Sequence, residues 1–175
     1  IIDSAAEIET LAASVPDSGG VAFVPAFVGL GTPYWDPTAR GAILGITRGS
    51  GRAHLARACL EALAHQSQDV LDCMEQEGVQ PLVLRADGGA AANDLLLQIQ
   101  ADLSGLEVHR PAVIETTAWG AAMLAGLAVG LWADESELEQ VWQINGLFRP
   151  QWNAATRTAA RAFWARAVER CRGWA

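Results

Sequence analysis

The run from Asp87 to Asn93, Asp-Gly-Gly-Ala-Ala-Ala-Asn, combines the residue types best suited to holding a ligand in this sequence of 175 residues. We call it the glycine turn; it lies between a predicted strand and a predicted helix. Glycines there let a ligand approach the backbone, and free amides at a helix amino end attract an anion such as phosphate. Gly88 and Gly89 are therefore candidate phosphate contacts. The same pattern also fits a tight turn that binds nothing.

Asn93 is predicted to lie one turn into the helix that follows. From there its side chain is a candidate contact for a base or ribose, or is simply solvated.

Two other glycine-rich stretches fit a nucleotide less well. Gly29-Leu30-Gly31 lacks the third glycine of a dinucleotide motif, and Gly49-Ser50-Gly51 is predicted to be a turn into a helix. All twelve basic residues are Arg, which excludes the phosphate-binding loop and the protein-kinase site, because each depends on a lysine.

Side chains for metal binding or acid–base catalysis show no convincing pattern. His54 and His65 are eleven residues apart on one predicted helix, so about 16 Å separates them along its axis and they cannot share an ion. We predict no protein-held metal site. Asp36, Asp87 and Glu115 are possible general bases, but nothing local distinguishes them from solvated or capping carboxylates. We therefore assign no catalytic residue.

Composition predicts one compact domain over residues 1–175, with 51% hydrophobic and 18% charged residues. The net charge of -8 argues against a nucleic-acid partner. The most apolar run, Ala118 to Trp132, is shorter than the ~20 residues of a membrane helix and is predicted to be a buried helix of a soluble core. Three scattered cysteines fit reduced thiols in a cytosolic protein.

The expected elements alternate between strands and helices, which predicts an α/β fold. After a short first helix we expect a strand at 21–24, a structured loop at 25–41, strands at 82–84 and 107–109, and a glycine-rich helix after Thr116. Asn153 is predicted to cap a last helix. The long helix at about 52–77 has an apolar stripe at the helical period, which we expect to be its buried face. That stripe consists of Leu55, Cys59, Leu63, Val70 and Met74.

The segment from Phe23 to Gly41, FVPAFVGLGTPYWDPTARG, resembles glycerol kinases of the FGGY carbohydrate kinase family, in which the form PAF-x-GLG-x-PYWDP-x-ARG is characteristic. The resemblance continues through 41–46, 54–55, 58–61, 85–89 and 115–122. Cys59 and Trp119 depart from the residues usual in the family. In all, the resemblance covers roughly residues 21–150.

The resemblance implies two actin-like, ribonuclease H-like domains that close on a cleft, with ATP and Mg²⁺ held mainly by the second and glycerol mainly by the first. By motif match, Gly89 and Asn93 correspond to nucleotide contacts, and Gly88 is their neighbour. The family's catalytic aspartate, polyol-binding residues and first phosphate loop lie upstream of the matched region. We therefore expect part of the C-terminal, ATP-binding domain, without the substrate domain, inactive alone, with an incomplete sheet and exposed edges.

Two alternatives stay open. One is a kinase of the same family for another substrate, such as xylulose, ribulose or gluconate, although Tyr34-Trp35-Asp36 favours glycerol. The other is a non-catalytic, actin-fold nucleotide-binding or scaffold protein. By analogy with the family we expect a cytoplasmic homo-oligomer that does not insert into membranes.

Overall fold

The structure is a computed structural model that describes residues 2–175, without the side chains of 139–141. Within these residues the chain forms six α-helices and five short strands. The helices are α1 (Glu7–Ala13), α2 (Arg52–Gln76), α3 (Asp94–Ser104), α4 (Thr116–Ala128), α5 (Glu135–Val141) and α6 (Ala154–Glu169). The strands are β1 (Ala22–Val24), β2 (Ala42–Leu44), β3 (Val83–Arg85), β4 (Glu107–Pro111) and β5 (Ile144–Phe148).

The strands form two separate sheets. β1 pairs antiparallel with β2, with Val24 opposite Ala42. β3 pairs in parallel with β4, and β4 pairs antiparallel with β5, so that β4 is central. The α/β class is confirmed. Within the described residues β3 and β5 are therefore the edge strands of this sheet.

Helix α2 is the centre of the fold. Its small buried residues, among them Ala56 and Ala64, let α1 and α3 pack closely, with Leu60, Ile99 and Leu103 filling the space between them. A second core joins α2 and β1 to the last helix. Its buried members from α6 and the residues after it are Trp164, Ala167, Val168 and Cys171.

The prediction that the apolar stripe is the buried face of α2 is wrong. Leu55 and Cys59 are half-buried, but the rest of the stripe is exposed. Leu63, Val70 and Met74 are 44%, 42% and 38% exposed. The buried face instead carries four alanines, Leu60, Leu71 and two polar residues, His65 and Gln68. Close helix packing selects small side chains, so alanines occupy half of the buried positions of this helix.

Helix α4 forms where it was predicted, but the expectation that the run 118–132 is buried is also wrong. Gly126, with the Trp132 ring against it, is the buried residue of this helix. Leu124, Val129 and Leu131 are 70%, 82% and 69% exposed. No helix or strand of the described part packs extensively against α4, so its apolar side chains have little to bury them.

β2, α5 and β5 were not predicted from the sequence. Its other elements are confirmed, including Asn153 as the cap of α6, whose Oδ1 accepts a hydrogen bond of 2.9 Å from the amide of Thr156. All three cysteines are free thiols. Among the described helices, none combines the length and the hydropathy needed to cross a membrane.

Candidate functional site

The glycine turn is held between β4 and the start of α4. The amide of Ala86 donates to the carbonyl of His109 at 3.0 Å, and the amide of Gly88 donates to the carbonyl of Ile114 at 2.7 Å. Gly88 has φ +79° and ψ 177°, a conformation that is practically restricted to glycine. Its lack of a side chain is therefore required by the backbone itself.

Gly89 is different, because its φ is not in the left-handed region. It opens a short 3₁₀ turn, Gly89–Ala92, which precedes α3 and in which the amide of Ala91 donates to the carbonyl of Gly88 at 3.0 Å. A Cβ atom built on Gly88 or on Gly89 meets no heavy atom within 4 Å. The space in front of both glycines is open to a ligand, and the first amides of a helical turn lack helical partners.

The prediction that Asn93 lies one turn into α3 is wrong. The residue lies before α3, because the 3₁₀ turn delays the start of the α-helix to Asp94. Asn93 is the N-cap. Its Oδ1 accepts a hydrogen bond of 2.8 Å from the amide of Leu96. The side-chain amide nitrogen makes no hydrogen bond to the described residues, so it remains available as a donor.

Arg110 on β4 stabilises the glycine turn. This contact was not predicted from the sequence. Nη1 of Arg110 donates to the carbonyl of Ala91 at 3.1 Å and to Oδ1 of Asp94 at 2.5 Å, while its guanidinium lies 5.6 Å from the Phe148 ring centre. Strand alternation was the available signal, since Arg110 shares a strand face with the buried Val108. At the start of α3, the amide of Leu95 also donates a hydrogen bond of 3.0 Å to the carboxylate of Glu9.

A largely apolar cavity of about 580 Å³ adjoins the glycine turn. It lies between α2, the turn and α3, and Leu63, Val70, Asp87, Ala90 and Gln100 are among its lining residues. Its volume falls in the range of small-molecule sites. Leu63 and Val70 of α2 and the glycine turn thus face the same space.

The three candidate bases lie in different surroundings. Asp36 accepts hydrogen bonds from the hydroxyl and amide of Thr38 and the amides of Ala39 and Gly173, which together lower its pKa to about 2. Its role is to tie the loop to the residues after α6. Asp87 is exposed beside Gly88, and Glu115 occupies the N-cap position of α4 without a side-chain cap bond. Neither carboxylate has a partner that marks it as a base.

The two histidines of α2 make different contacts. Nδ1 of His54 accepts a bond of 3.1 Å from the amide of Gly51, the N-cap of α2, as expected for a turn into a helix. The His65 ring stacks on Trp164, with ring centres 5.0 Å apart. In the described part of the chain no three His, Cys, Asp or Glu side chains come together in a way that would hold a metal ion.

Comparison with known proteins finds carbohydrate kinases that match along the whole chain. The FGGY family of carbohydrate kinases, C-terminal domain, matches residues 2–129. Glycerol kinases of Dechloromonas aromatica and Nitratidesulfovibrio vulgaris are 60% and 56% identical over 176 aligned residues, covering 100% of this chain and 35% of each relative. A glycerol kinase of Saccharolobus islandicus is 54% identical over 99% of the chain.

Solved structures agree. The structure of Plasmodium falciparum glycerol kinase with ADP matches 97% of this chain and 34% of its own, with a TM-score of 0.88 and 32% identity. A ligand-bound xylulose kinase from Lactobacillus acidophilus matches with a TM-score of 0.81 and 25% identity. The chain spans about 35% of the curated relatives. It shares the actin-like fold of these neighbours and belongs to the FGGY family of carbohydrate kinases, matching its C-terminal domain.

Proposed function

We propose that this chain is the ATP-side portion of a glycerol kinase, which transfers the γ-phosphate of ATP to a terminal hydroxyl of glycerol. The observation that carries the proposal is the identity of 54–60% to glycerol kinases across essentially the whole chain. The structural neighbours named xylulose kinase or gluconate kinase share only 24–26%. The level of identity therefore favours glycerol over the sugar alternatives.

We assign nucleotide binding to Gly88, Gly89 and Asn93. The open space before the two glycines fits a phosphate group, and the amides at the start of the 3₁₀ turn are suitable donors to it. The free amide nitrogen of Asn93 fits a polar contact to base or ribose. The bound ADP in the P. falciparum enzyme supports a nucleotide on this fold.

ATP would supply the phosphoryl group, and Mg²⁺ would neutralise charge on its phosphates. The described residues contain no cluster that would hold the ion without the nucleotide. Mg²⁺ usually binds through substrate phosphates and one or two carboxylates, so we propose that it arrives with ATP. The chain's own part is to bind and orient the nucleotide.

Phosphoryl transfer depends on positioning and charge stabilisation by groups on both sides of the nucleotide. We therefore propose that the 175-residue chain alone does not catalyse the reaction.

We also propose that the full-length enzyme is a cytoplasmic homo-oligomer. The free thiols of the chain suit a reducing compartment.

The test is a coupled assay of ADP release by the purified full-length protein with glycerol, xylulose, ribulose or gluconate as acceptor. We expect the highest kcat/KM with glycerol and no activity from the 175-residue chain above a mock preparation. A higher kcat/KM with a sugar acceptor would replace glycerol as the substrate. Nucleotide binding without turnover on any acceptor would support the scaffold alternative.

A further inference from the structure

A second cavity, of about 590 Å³, lies between α2 and α6. Polar side chains of both helices line it, together with Pro33 and Tyr34 from the loop that follows β1. It shares no lining residue with the cavity beside the glycine turn, so the two are separate features of the fold. Its volume is also in the range of small-molecule sites.

Two carboxylates fix the walls of this second cavity. Oδ2 of Asp69 accepts hydrogen bonds from the hydroxyl of Tyr34 at 3.1 Å and from Nε1 of Trp164 at 2.8 Å. Oδ1 of Asp72 accepts bonds from Gln68 at 2.6 Å and from Arg161 at 3.1 Å. These bonds join α2 to α6 and to the loop, so the cavity is preformed.

Three of the lining side chains carry a buried polar atom without a hydrogen-bond partner in the described part of the chain. They are Nδ1 of His65, Oε1 of Gln68 and Nε of Arg161. His65 and Gln68 are only 8% and 2% exposed, so bulk water does not satisfy them. Leaving a buried polar atom unpaired destabilises a fold, so three such atoms around one cavity favour a bound molecule that supplies their partners.

The chemistry of these atoms selects the partner. Oε1 of Gln68 only accepts, Nε of Arg161 only donates, and an imidazole nitrogen does either. A hydroxyl group both donates and accepts, so it matches such a mixed set. The carboxylates of Asp69 and Asp72 disfavour an anion, and the guanidinium of Arg161 disfavours a cation. We propose that this cavity binds a small, uncharged polyhydroxyl molecule.

The state of His65 agrees with an uncharged ligand. Burial, together with the charge of Arg161, lowers the pKa of His65 to about 4, so its imidazole is neutral at neutral pH. The neighbouring Asp69 has a pKa raised mainly by burial. Perturbed groups that converge on a cavity are typical of binding sites.

The experiment titrates the purified full-length protein with xylitol and with myo-inositol, followed by tryptophan fluorescence and by saturation-transfer NMR. Inorganic phosphate and spermidine are the charged probes. We expect saturable binding of at least one polyol that depends on Gln68, and no binding of either charged probe that depends on Gln68. Gln68→Met keeps the volume and removes the unpaired acceptor, and we expect it to weaken polyol binding at least tenfold.

Gln100→Met is the matched control. Gln100 is also a buried glutamine with one unpaired amide atom, but it lines the cavity beside the glycine turn. We expect it to leave polyol affinity unchanged. If Gln68→Met does not fold, His65→Phe, which preserves the stacking on Trp164, takes its place with the same expected loss. No saturable polyol binding, binding of phosphate or spermidine in the cavity, or equal losses in the Gln68 and Gln100 variants would each overturn the proposal.

Discussion

Two glycine-containing loops of this chain use glycine in opposite ways. In the loop of residues 25–41, a Cβ on Gly29 would lie 2.6 Å from the carbonyl oxygen of Asp36, so the space is filled by the loop's own backbone. In the glycine turn, a Cβ on Gly89 would meet nothing. The first loop is closed on itself at Gly29, whereas the second leaves its backbone open at Gly89.

Of these two loops, the one at residues 25–41 carries the sequence that is more characteristic of the family. Its carboxylate at Asp36 and its hydroxyl at Tyr34 both bond inward, to Gly173 and to Asp69. A recognisable motif can therefore serve the internal packing of a fold. The nucleotide site that we propose rests on a much shorter pattern, the two glycines at 88 and 89.

The strongest test of the closed loop is Gly29→Ala. Gly29 has φ +96°, and the added methyl group would also clash with the carbonyl of Asp36. We expect the free energy of unfolding to fall by about 3 kcal/mol, from left-handed strain and displaced backbone together. Urea unfolding followed by circular dichroism measures it.

The matched control is Gly31→Ala, two residues further along the same loop. Its Cβ has open space and its φ is not in the left-handed region. We expect a change below ~0.5 kcal/mol. Equal effects of the two substitutions would show that the loop is not closed in the way described.

The second prediction concerns the pH dependence of stability that His65 of α2 contributes. Its folded pKa of about 4 lies below the ordinary 6.5, so the unfolded chain binds more protons between these values. Stability from this group is complete above about pH 6.5 and is lost as pH falls towards 4. We expect a loss of about 2 kcal/mol between about pH 6.5 and pH 4.5.

The measurement compares the pH dependence of unfolding in the unmodified protein, in His65→Phe and in Gln100→Met. Asp69, with its raised pKa, contributes a slope of opposite sign, because its stabilisation is lost as pH rises. The His65 effect is therefore the difference between variants. We expect His65→Phe to remove it and Gln100→Met to retain it; identical curves for His65→Phe and the unmodified protein would refute the assignment.

The sequence predicted the fold class and most elements because turn residues and caps act locally. Asn153 caps α6, and Gly51 opens α2, as their residue types indicate. β2 and β5 were missed, since a short strand is stabilised by a partner distant in sequence. Pairing of β5 with β4 joins Phe148 to Val108, 40 residues apart.

The sequence was less informative about which faces are buried. In α2, periodicity alone identified the stripe of Leu63 and Met74. The face that is buried instead depends on the packing of α1, α3 and α6 around this helix, which covers alanines, His65 and Gln68. At the site, glycines 88 and 89 were identifiable from their position between strand and helix. Arg110 was not, because its contact with Asp94 depends on the pairing of β4 beside the turn.

The third prediction tests the open side through Gly89→Val in the full-length protein. The structure has room for the side chain and no left-handed φ at this residue, so the fold should remain intact. The added side chain fills the space that we assign to phosphate. We expect ATP affinity to fall at least ~10-fold, or ~1.4 kcal/mol, with glycerol affinity little changed.

Calorimetric titration with a non-hydrolysable ATP analogue and with glycerol measures both affinities. Gly31→Val is the control, because it adds the same side chain to open space in the other loop. We expect it to bind the analogue as the unmodified protein does. Unchanged nucleotide affinity in folded Gly89→Val would reduce the glycine turn to a structural turn without a ligand.

The smallest effect is expected at Asn93, where a cap and a proposed ligand contact coincide. Asn93→Ala removes both the bond from Oδ1 to the amide of Leu96 and the free amide nitrogen. We expect losses of about 1 kcal/mol in stability and about 1 kcal/mol in ATP binding. Asn93→Ser separates them, because serine caps helices nearly as well but lacks the amide. Its unfolding midpoint should stay near that of the unmodified protein while its ATP affinity, measured by the same titration, falls as in Asn93→Ala. Full ATP affinity in Asn93→Ser would assign this residue to helix capping alone.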